Sequence, residues 1–156
     1  MGKLSHYDPA GHARMVDIGK KPVTQRHAEA TAFVELSPAV LAALPANPKG
    51  NPLEVARFAG IQAAKRTSEL IPMCHPLPLT FVDVVTEILP NGIYIRAMAS
   101  SEGRTGVEME AMVAVSIASL TIYDMCKAMD KGIVIREVAL QSKSGGKSGK
   151  YRRSVK

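Results

Sequence analysis

Residues 79–101 read LTFVDVVTEILPNGIYIRAMASS, and this stretch decides the fold. Apolar and polar residues alternate on both sides of Pro90, Asn91 and Gly92, as is typical of strands with one buried face. An Asn-Gly pair between two such runs is a strong signal for a tight turn. The stretch therefore predicts an antiparallel hairpin with strands at 79–89 and 92–101.

A long helix is predicted before this hairpin, from Asn51 to about Leu70. Asn51 can cap the first turn, Pro52 suits the first helical position, and Glu54 follows the cap by three residues, as in a capping box. One face of this helix carries only small residues, which would let a neighbouring element pack very close. They are Ala56, Ala59, Gly60, Ala63 and Ala64.

A second long helix is predicted after the hairpin, from Val107 to about Asp130. Thr105 and Glu108 have the spacing of another capping box. The helix is apolar almost all round, and a helix of that kind is expected to be deeply buried.

The remaining elements complete a recognisable order. We predict a strand at 13–19, a strand at 26–36, a short helix at 37–44 opened by Ser37 and Pro38, and a strand at 132–140. Without the first strand, the order is strand, helix, strand, strand, helix, strand, which is the ferredoxin-like split βαβ pattern. The sequence thus predicts an α+β fold in which two long helices cover one face of an antiparallel sheet. The N-terminal strand and the short helix are additions to it.

The length and composition suit a single domain over residues 1–156 with a core that needs no crosslinks. Cys74 and Cys126 are the only two cysteines, which fits a reducing compartment. The N-terminus lacks the apolar run of a signal peptide, and the longest nearly apolar run, 112–123, is too short to cross a bilayer. We therefore expect a cytoplasmic protein that has no membrane partner.

The net charge of +6 is concentrated in the last fourteen residues, 143–156, which carry six bases and no acid. We expect this tail and residues 1–13 to be mobile. The positive charge of the C-terminal tail points to an anionic ligand, nucleic acid or an acidic surface as its partner. Residues 142–150, SKSGGKSGK, do not form a Walker A loop, since Gln141 stands where the first glycine would be needed. Both an anion cradle made by glycine backbone and lysines and a disordered basic tail remain open.

The loop LIPMCHPLPLT, residues 70–80, places Cys74 and His75 side by side between prolines that stiffen an extended backbone. Adjacent residues of an extended chain point apart, and the sequence contains no CxxC or HxxxH, which argues against a zinc site. Cys74 is consistent with a small buried apolar residue, although a nucleophilic thiol remains an alternative. His75 could serve as a ligand-binding or proton-handling group.

Two charged residues near the end of the second long helix stand out against its apolar character. Asp124 would be costly in a buried helix interior, and Lys127, three residues on, shares its face. Either a salt bridge at the helix end or a general acid/base pair fits this spacing. Near the helix start, Glu108 has a capping role, whereas Glu110 has no obvious structural one.

Five motifs in order give the chain a resemblance to the MoaC family, the cyclic pyranopterin monophosphate synthases of molybdenum cofactor biosynthesis. They are MVDIGKK (15–21), ARFAGIQAAKRTSELIPMCHPLPLT (56–80), TGVEMEA (105–111), LTIYDMCKA (120–128) and LQSKSGGKSG (140–149). The resemblance covers nearly the whole chain. It implies a ferredoxin-like fold, a cytoplasmic lyase, and a homo-oligomer that is a hexamer built as a trimer of dimers.

The implied reaction converts a cyclised dihydro-GTP intermediate into cyclic pyranopterin monophosphate and releases diphosphate. The resemblance assigns the catalytic roles to Asp124 and Lys127. It places Met73, Cys74 and His75 in one substrate-binding segment and Met109 and Glu110, with Glu108 beside them, in another. For the triphosphate, the basic groups that we expect to bind are Lys49, Lys65, Arg66 and Lys147. Two differences from the family pattern are mild: Asn51 stands where Asp is frequent, and Met73 where Leu is usual.

The expected partner is a small nucleotide-derived substrate, with no nucleic acid and no bound metal. The sequence requires no cofactor, and Mg²⁺ accompanying the triphosphate is compatible with it. Helix geometry adds one expectation, because Glu110 and Asp124 would lie about 21 Å apart along the helix at about 1.5 Å per residue. A two-fold dimer would therefore complete each site from two subunits. The alternative is a non-catalytic nucleotide- or RNA-binding module of the same fold, which requires exposed aromatic residues on the central strands.

Overall fold

The structure, a computed structural model, describes residues 6–154. Its elements follow in chain order as strands, helices and one short 3-10 turn at Leu44–Ala46. They are β1 (Thr24–Glu35), α1 (Pro38–Ala43), α2 (Pro52–Ala64), α3 (Thr67–Leu70), β2 (Leu79–Leu89), β3 (Gly92–Gly103), α4 (Glu108–Cys126), β4 (Val134–Ser144) and β5 (Tyr151–Arg152). The described strands form one antiparallel sheet in the order β2-β3-β1-β4-β5. The predicted α+β class and ferredoxin-like order are confirmed.

The predicted hairpin is present, with β2 and β3 joined at Pro90 and Asn91. Four of the five residues predicted for the small face of α2 are buried, namely Ala56, Gly60, Ala63 and Ala64, and Ala59 is half-buried. A Cβ built on Gly60 would lie 2.8 Å from the carbonyl oxygen of Ala114 on α4. The two helices therefore pack backbone to backbone at this point, and only glycine allows it.

Helix α4 lies at the centre of the core, against α2 on one side and β1, β3 and β4 on another. By length and composition alone it could span a membrane, but more than half of it is buried within the fold. Core helices of water-soluble proteins share these properties, so this feature is weak evidence for a membrane span.

Two predictions about the chain before the hairpin were wrong in detail. Residues 13–19 do not form a strand, and Ala13 makes only an isolated bridge with Tyr7. The Arg104 guanidinium instead donates to the carbonyl oxygens of Gly19 and Lys21, which fixes this segment as a loop. The first long helix is interrupted at 65–66, between α2 and α3.

The second predicted capping box does not form either. Helix α4 begins at Glu108 and has Val107 as its cap residue, without a side-chain cap. Glu108 is then the first helical residue rather than the third, and its carboxylate lies over Gly106. At the other end, α4 stops at Cys126 rather than near Asp130.

The C-terminal segment folds back on the sheet, because Lys143 and Tyr151 pair across β4 and β5. Residues 1–5 and 155–156 lie outside the described residues, so the predicted mobility of 1–13 and 143–156 stays a prediction.

Strand β4 contains one residue with strained backbone. Glu137 has a φ of 54°, in the left-handed region, beside an irregularity in the β1–β4 register.

Strand β2 forms an edge of the sheet. On this edge, the Asp83 carboxylate accepts hydrogen bonds from the Val84 amide and from Arg57, each at 2.9 Å. This occupies a backbone donor that an edge strand would otherwise offer to another chain.

Candidate active site

The last turn of α4 and the loop before α2 bring Lys49, Asp124 and Lys127 together. The Lys127 ammonium lies 2.6 Å from Oδ1 of Asp124, and Lys49 lies 3.2 Å from Oδ2. Lys49 also donates to the backbone carbonyl of Asp124 at 2.9 Å. Asn47 fixes the loop that carries Lys49, because its side chain donates to the carbonyl of Met125 and accepts from the Lys49 amide. We call Lys49, Asp124 and Lys127 the lysine–aspartate cluster.

The lysine–aspartate cluster is exposed, contrary to the expectation of a buried pair. The Asp124 and Lys127 side chains are 56% and 50% exposed. Hydrogen bonding to Lys127 and then to Lys49 lowers the pKa of Asp124. The hydrogen bond to Asp124 raises the pKa of Lys127. In the protomer this site therefore holds a carboxylate and an ammonium at neutral pH, both open to solvent.

A cavity of about 370 Å³ lies at the opposite end of α4. It brings together both substrate-binding segments inferred from the sequence. Six predicted residues line it: Met73, Cys74, His75, Glu108, Met109 and Glu110. Cys74 and His75 thus face the same space, whereas a fully extended loop would have pointed them apart. The reason is a turn at residues 72–73, in which the Cys74 amide donates a hydrogen bond to the Ile71 carbonyl.

Glu110 is the most unusual group in this cavity. It is only 3% exposed. Burial, with a contribution from Glu108, raises its pKa from 4.5 to about 7. A carboxyl group whose pKa lies near neutrality can both bind and release a proton there, which is the property that general acid/base chemistry requires.

The two thiols do not behave as activated nucleophiles. Burial and the nearby Glu110 raise the pKa of Cys74, and burial raises that of Cys126. A thiol nucleophile needs a lowered pKa, so the interpretation of both residues as packing or contact groups is favoured. Within residues 6–154, no group of three or more His, Cys, Asp or Glu side chains is placed to hold a metal ion.

The lysine–aspartate cluster and the cavity lie at the two ends of one helix. Glu110 is in the first turn of α4 and Asp124 in the last, about 21 Å apart at about 1.5 Å per residue. One protomer therefore presents two separate groups of candidate site residues rather than one pocket, and we call these groups half-sites.

The other predicted phosphate-binding residues are less tightly placed. Lys65 and Arg66 are exposed at the end of α2, and Lys65 lines a separate groove of about 450 Å³ beside β2. Lys147 is exposed in the glycine-rich loop between β4 and β5. This loop packs closely on a buried arginine, since a Cβ on Gly146 would lie 1.6 Å from a guanidinium nitrogen of Arg26.

Sequence reasoning missed several residues that line the cavity. Val16 and Ile18 come from the segment that was expected to be a strand, Lys21 follows that segment, and His6 precedes it. Among the residues that the structure describes, none forms a hydrogen bond with the buried Nδ1 atom of His6. Three of these residues fall within the motif MVDIGKK, so that motif was the available signal.

A second, wider depression of about 860 Å³ lies on the sheet face away from the helices. It is lined by aromatic residues such as Phe81 and Tyr94 and by bases of the C-terminal segment, and it contains none of the predicted site residues. We assign the site to the smaller cavity, because only there do a buried titratable group and both predicted segments converge.

Comparison with known proteins gives a consistent result. The MoaC family matches residues 15–146. The chain is 53% identical over 155 residues to cyclic pyranopterin monophosphate synthase 1 of Mycobacterium tuberculosis (strain ATCC 25618 / H37Rv), covering 97% of this chain and 91% of the relative. It is 55% identical over 154 residues to the cyclic pyranopterin monophosphate synthase of Oleidesulfovibrio alaskensis, covering 96% of each.

Proposed function

The chain belongs to the MoaC family, and we propose that it acts as a cyclic pyranopterin monophosphate synthase in molybdenum cofactor biosynthesis. It is an enzyme of the lyase type. Its substrate is a cyclised dihydro-GTP, its products are cyclic pyranopterin monophosphate and diphosphate, and it works in the cytoplasm. The observation that supports this function is that one helix, α4, has the cavity with the buried carboxyl group of Glu110 at its start and the lysine–aspartate cluster at its end.

The reaction needs proton transfers while a ring opens and closes, and then attack of a sugar hydroxyl on the α-phosphorus with loss of diphosphate. Lys127 starts as an ammonium held by Asp124, so it can donate a proton to the substrate. Asp124 starts as a carboxylate, orients both lysines and stabilises the positive charge of Lys127. Lys49 adds a second positive charge beside them, which favours the triphosphate and the leaving diphosphate.

The cavity holds the ring system. Its walls combine apolar side chains such as Val16, Ile18 and Leu77 with the polar groups of His75 and Glu110. Apolar walls with a few placed polar groups are the usual surroundings of a small heterocycle. The loop containing His75 is stiffened by Pro76 and Pro78, so little conformational entropy is lost on binding. Lys65, Arg66 and Lys147 add positive charge that attracts the triphosphate.

Each complete site is shared by two protomers. The two half-sites lie at opposite ends of α4, so one small substrate cannot contact both within a chain. A two-fold axis between two chains brings the lysine–aspartate cluster of one to the cavity of the other, twice over. Three such dimers form the proposed hexamer. The sequence requires no cofactor, and Mg²⁺ could accompany the triphosphate.

The function is tested by incubating the protein with the cyclised dihydro-GTP and measuring diphosphate release. We expect release by the natural protein and a loss of at least about a hundredfold on Lys127→Ala, the scale of a lost general acid. Lys131→Ala is the matched control, because Lys131 is an exposed lysine just beyond the same helix and should keep full activity. No release by the natural protein would contradict the proposed function. The family match and the named relatives support the synthase rather than the alternative of a non-catalytic nucleotide- or RNA-binding module.

A further inference from the structure

The last turn of α4 is capped by side chains that come from outside the helix. The final carbonyl groups of a helix have no partner further along the same helix. In α4, the Met125 carbonyl accepts from the side-chain amide of Asn47 at 2.9 Å. The Asp124 carbonyl accepts from the Lys49 ammonium, also at 2.9 Å. Two residues of the loop at 47–50 therefore cap the helix end at which the lysine–aspartate cluster lies.

Asn47 is the buried member of this capping pair. It is only 9% exposed, whereas the Lys49 side chain is 47% exposed. Its Nδ2 atom donates to Met125 while its Oδ1 atom accepts from the Lys49 backbone amide, each at 2.9 Å. A flipped amide would set donor against donor and acceptor against acceptor, so the two bonds fix the orientation of the Asn47 side chain.

The loop at 47–50 has little conformational freedom of its own. The Gly50 amide donates to the Asn47 carbonyl at 3.1 Å and closes a tight turn. Pro48 fixes φ within this turn, and Gly50 has a φ of 97°, which glycine adopts without strain. The attachment of Asn47 to α4 therefore decides where the backbone of Lys49 lies relative to the helix.

The position of the Lys49 ammonium depends on this attachment. An exposed lysine side chain has many accessible rotamers, and ordering it costs conformational entropy. Here the Lys49 ammonium lies 2.9 Å from the carbonyl oxygen of Asp124 and 3.2 Å from its Oδ2 atom. A loop that moved away from α4 would take Lys49 away from both oxygens, and Lys127 alone would then hold the Asp124 carboxylate.

We propose that Asn47 is a positioning residue for the reaction, which acts through Lys49 by fixing the Lys49 ammonium beside Asp124. This inference rests on the proposed function, and it adds what holds the Lys49 charge where the triphosphate and the leaving diphosphate need it. A misplacement of about 1 Å in a catalytic site can cost about a hundredfold in rate. The rival interpretation is that Asn47 only stabilises the fold as a cap of α4.

A double-mutant cycle separates the two interpretations, because it measures whether Asn47 acts through Lys49. The four proteins are the natural protein, Asn47→Ala, Lys49→Ala and the double variant. Their affinity for the cyclised dihydro-GTP is measured by calorimetry, which works even where turnover is lost. The matched control is Asn51→Ala, because Asn51 lies just after the same loop and caps α2 through the amides of Leu53 and Glu54.

We expect Asn47→Ala to weaken substrate affinity at least about threefold when Lys49 is present and to change it less than about 1.5-fold in the Lys49→Ala background. It should also lower kcat at least about tenfold. Asn51→Ala should lower stability in urea unfolding yet leave both affinity and kcat unchanged.

An equal loss of affinity in both backgrounds would overturn the proposal, because Asn47 would then act independently of Lys49. Natural affinity and natural kcat in Asn47→Ala would overturn it as well. Should Asn47→Ala not fold, Asn47→Ser takes its place in the same cycle, since serine is too short to keep the bond to Met125. The cycle uses affinity rather than turnover, so its failure is distinguishable from failure of the proposed function, which diphosphate release by the natural protein tests.

Discussion

Glu110 should make the stability of the protomer depend on pH. The pKa of Glu110 is 4.5 in the unfolded chain, whereas burial raises it to about 7 in the folded protomer. The sign follows from linkage: as pH rises between these values, the unfolded state loses the proton first, and the free energy of unfolding falls. The full penalty, reached above neutral pH, is about 3 kcal/mol at about 1.4 kcal/mol per pKa unit.

Glu110→Gln removes this penalty because the amide does not titrate. We expect the stability of Glu110→Gln minus that of the parent protein to grow by about 2 kcal/mol between about pH 5 and pH 8. The two proteins are otherwise identical and are compared under the same conditions. The difference cancels the titration of the neighbouring cavity residues His6, Lys21, Cys74, His75 and Glu108, which both proteins share.

The measurement is urea unfolding followed by circular dichroism, at half-unit steps of pH. A difference that does not change with pH would refute the reasoning, because it would mean that Glu110 ionises alike in the folded and unfolded chains. A difference that shrinks as pH rises would show that the folded protomer stabilises the carboxylate, which is the opposite of what its burial predicts.

The remaining predictions concern other parts of the molecule. Asp124→Asn and Lys127→Ala should each abolish turnover yet leave substrate affinity, measured by calorimetry, within about tenfold, since Lys127 donates a proton, Asp124 orients it, and neither anchors the ligand; near-normal kcat in either would mean that the role is misassigned. Glu137→Gly should raise stability by about 1 kcal/mol in thermal unfolding, because glycine accepts the positive φ without strain, whereas Glu137→Ala should not. Asp83→Ala should increase light scattering on mild heating, because it frees the Val84 amide on the sheet edge, and Glu87→Ala, a charge loss on the same strand, should not.

The sequence predicted the sheet and its two main helices well because their signals are local. The alternation in 79–101 and the small face of α2 depend on neighbours a few residues away, and both are present in the structure. The strand expected at 13–19 does not form, because the conformation of this segment depends on a residue that is distant in sequence. Arg104 donates to the carbonyl oxygens of Gly19 and Lys21 and holds the segment as a loop.

The sequence named candidate site residues but could not give their surroundings. Motifs identified Asp124, Lys127 and Glu110 by residue type, yet burial is a property of the packed chain. The apolar run before Asp124 suggested a buried carboxylate, whereas the structure exposes Asp124 and buries Glu110. The group with the raised carboxyl pKa is therefore at the start of the helix. The residues from 16 to 21 that line the cavity could not be placed there without the fold.

Each active site is proposed to contain residues of two protomers. Two inactive variants, Glu110→Ala and Asp124→Ala, are unfolded together in equal amounts, refolded, and assayed for diphosphate release. Each variant damages a different half-site, so a mixed dimer has one site with both defects and one intact site. Random mixing should restore about a quarter of the natural activity, because half of the dimers are mixed and each has one working site of two. If mixed dimers are shown to form and no activity returns, each chain must hold its own complete site, and the account is contradicted.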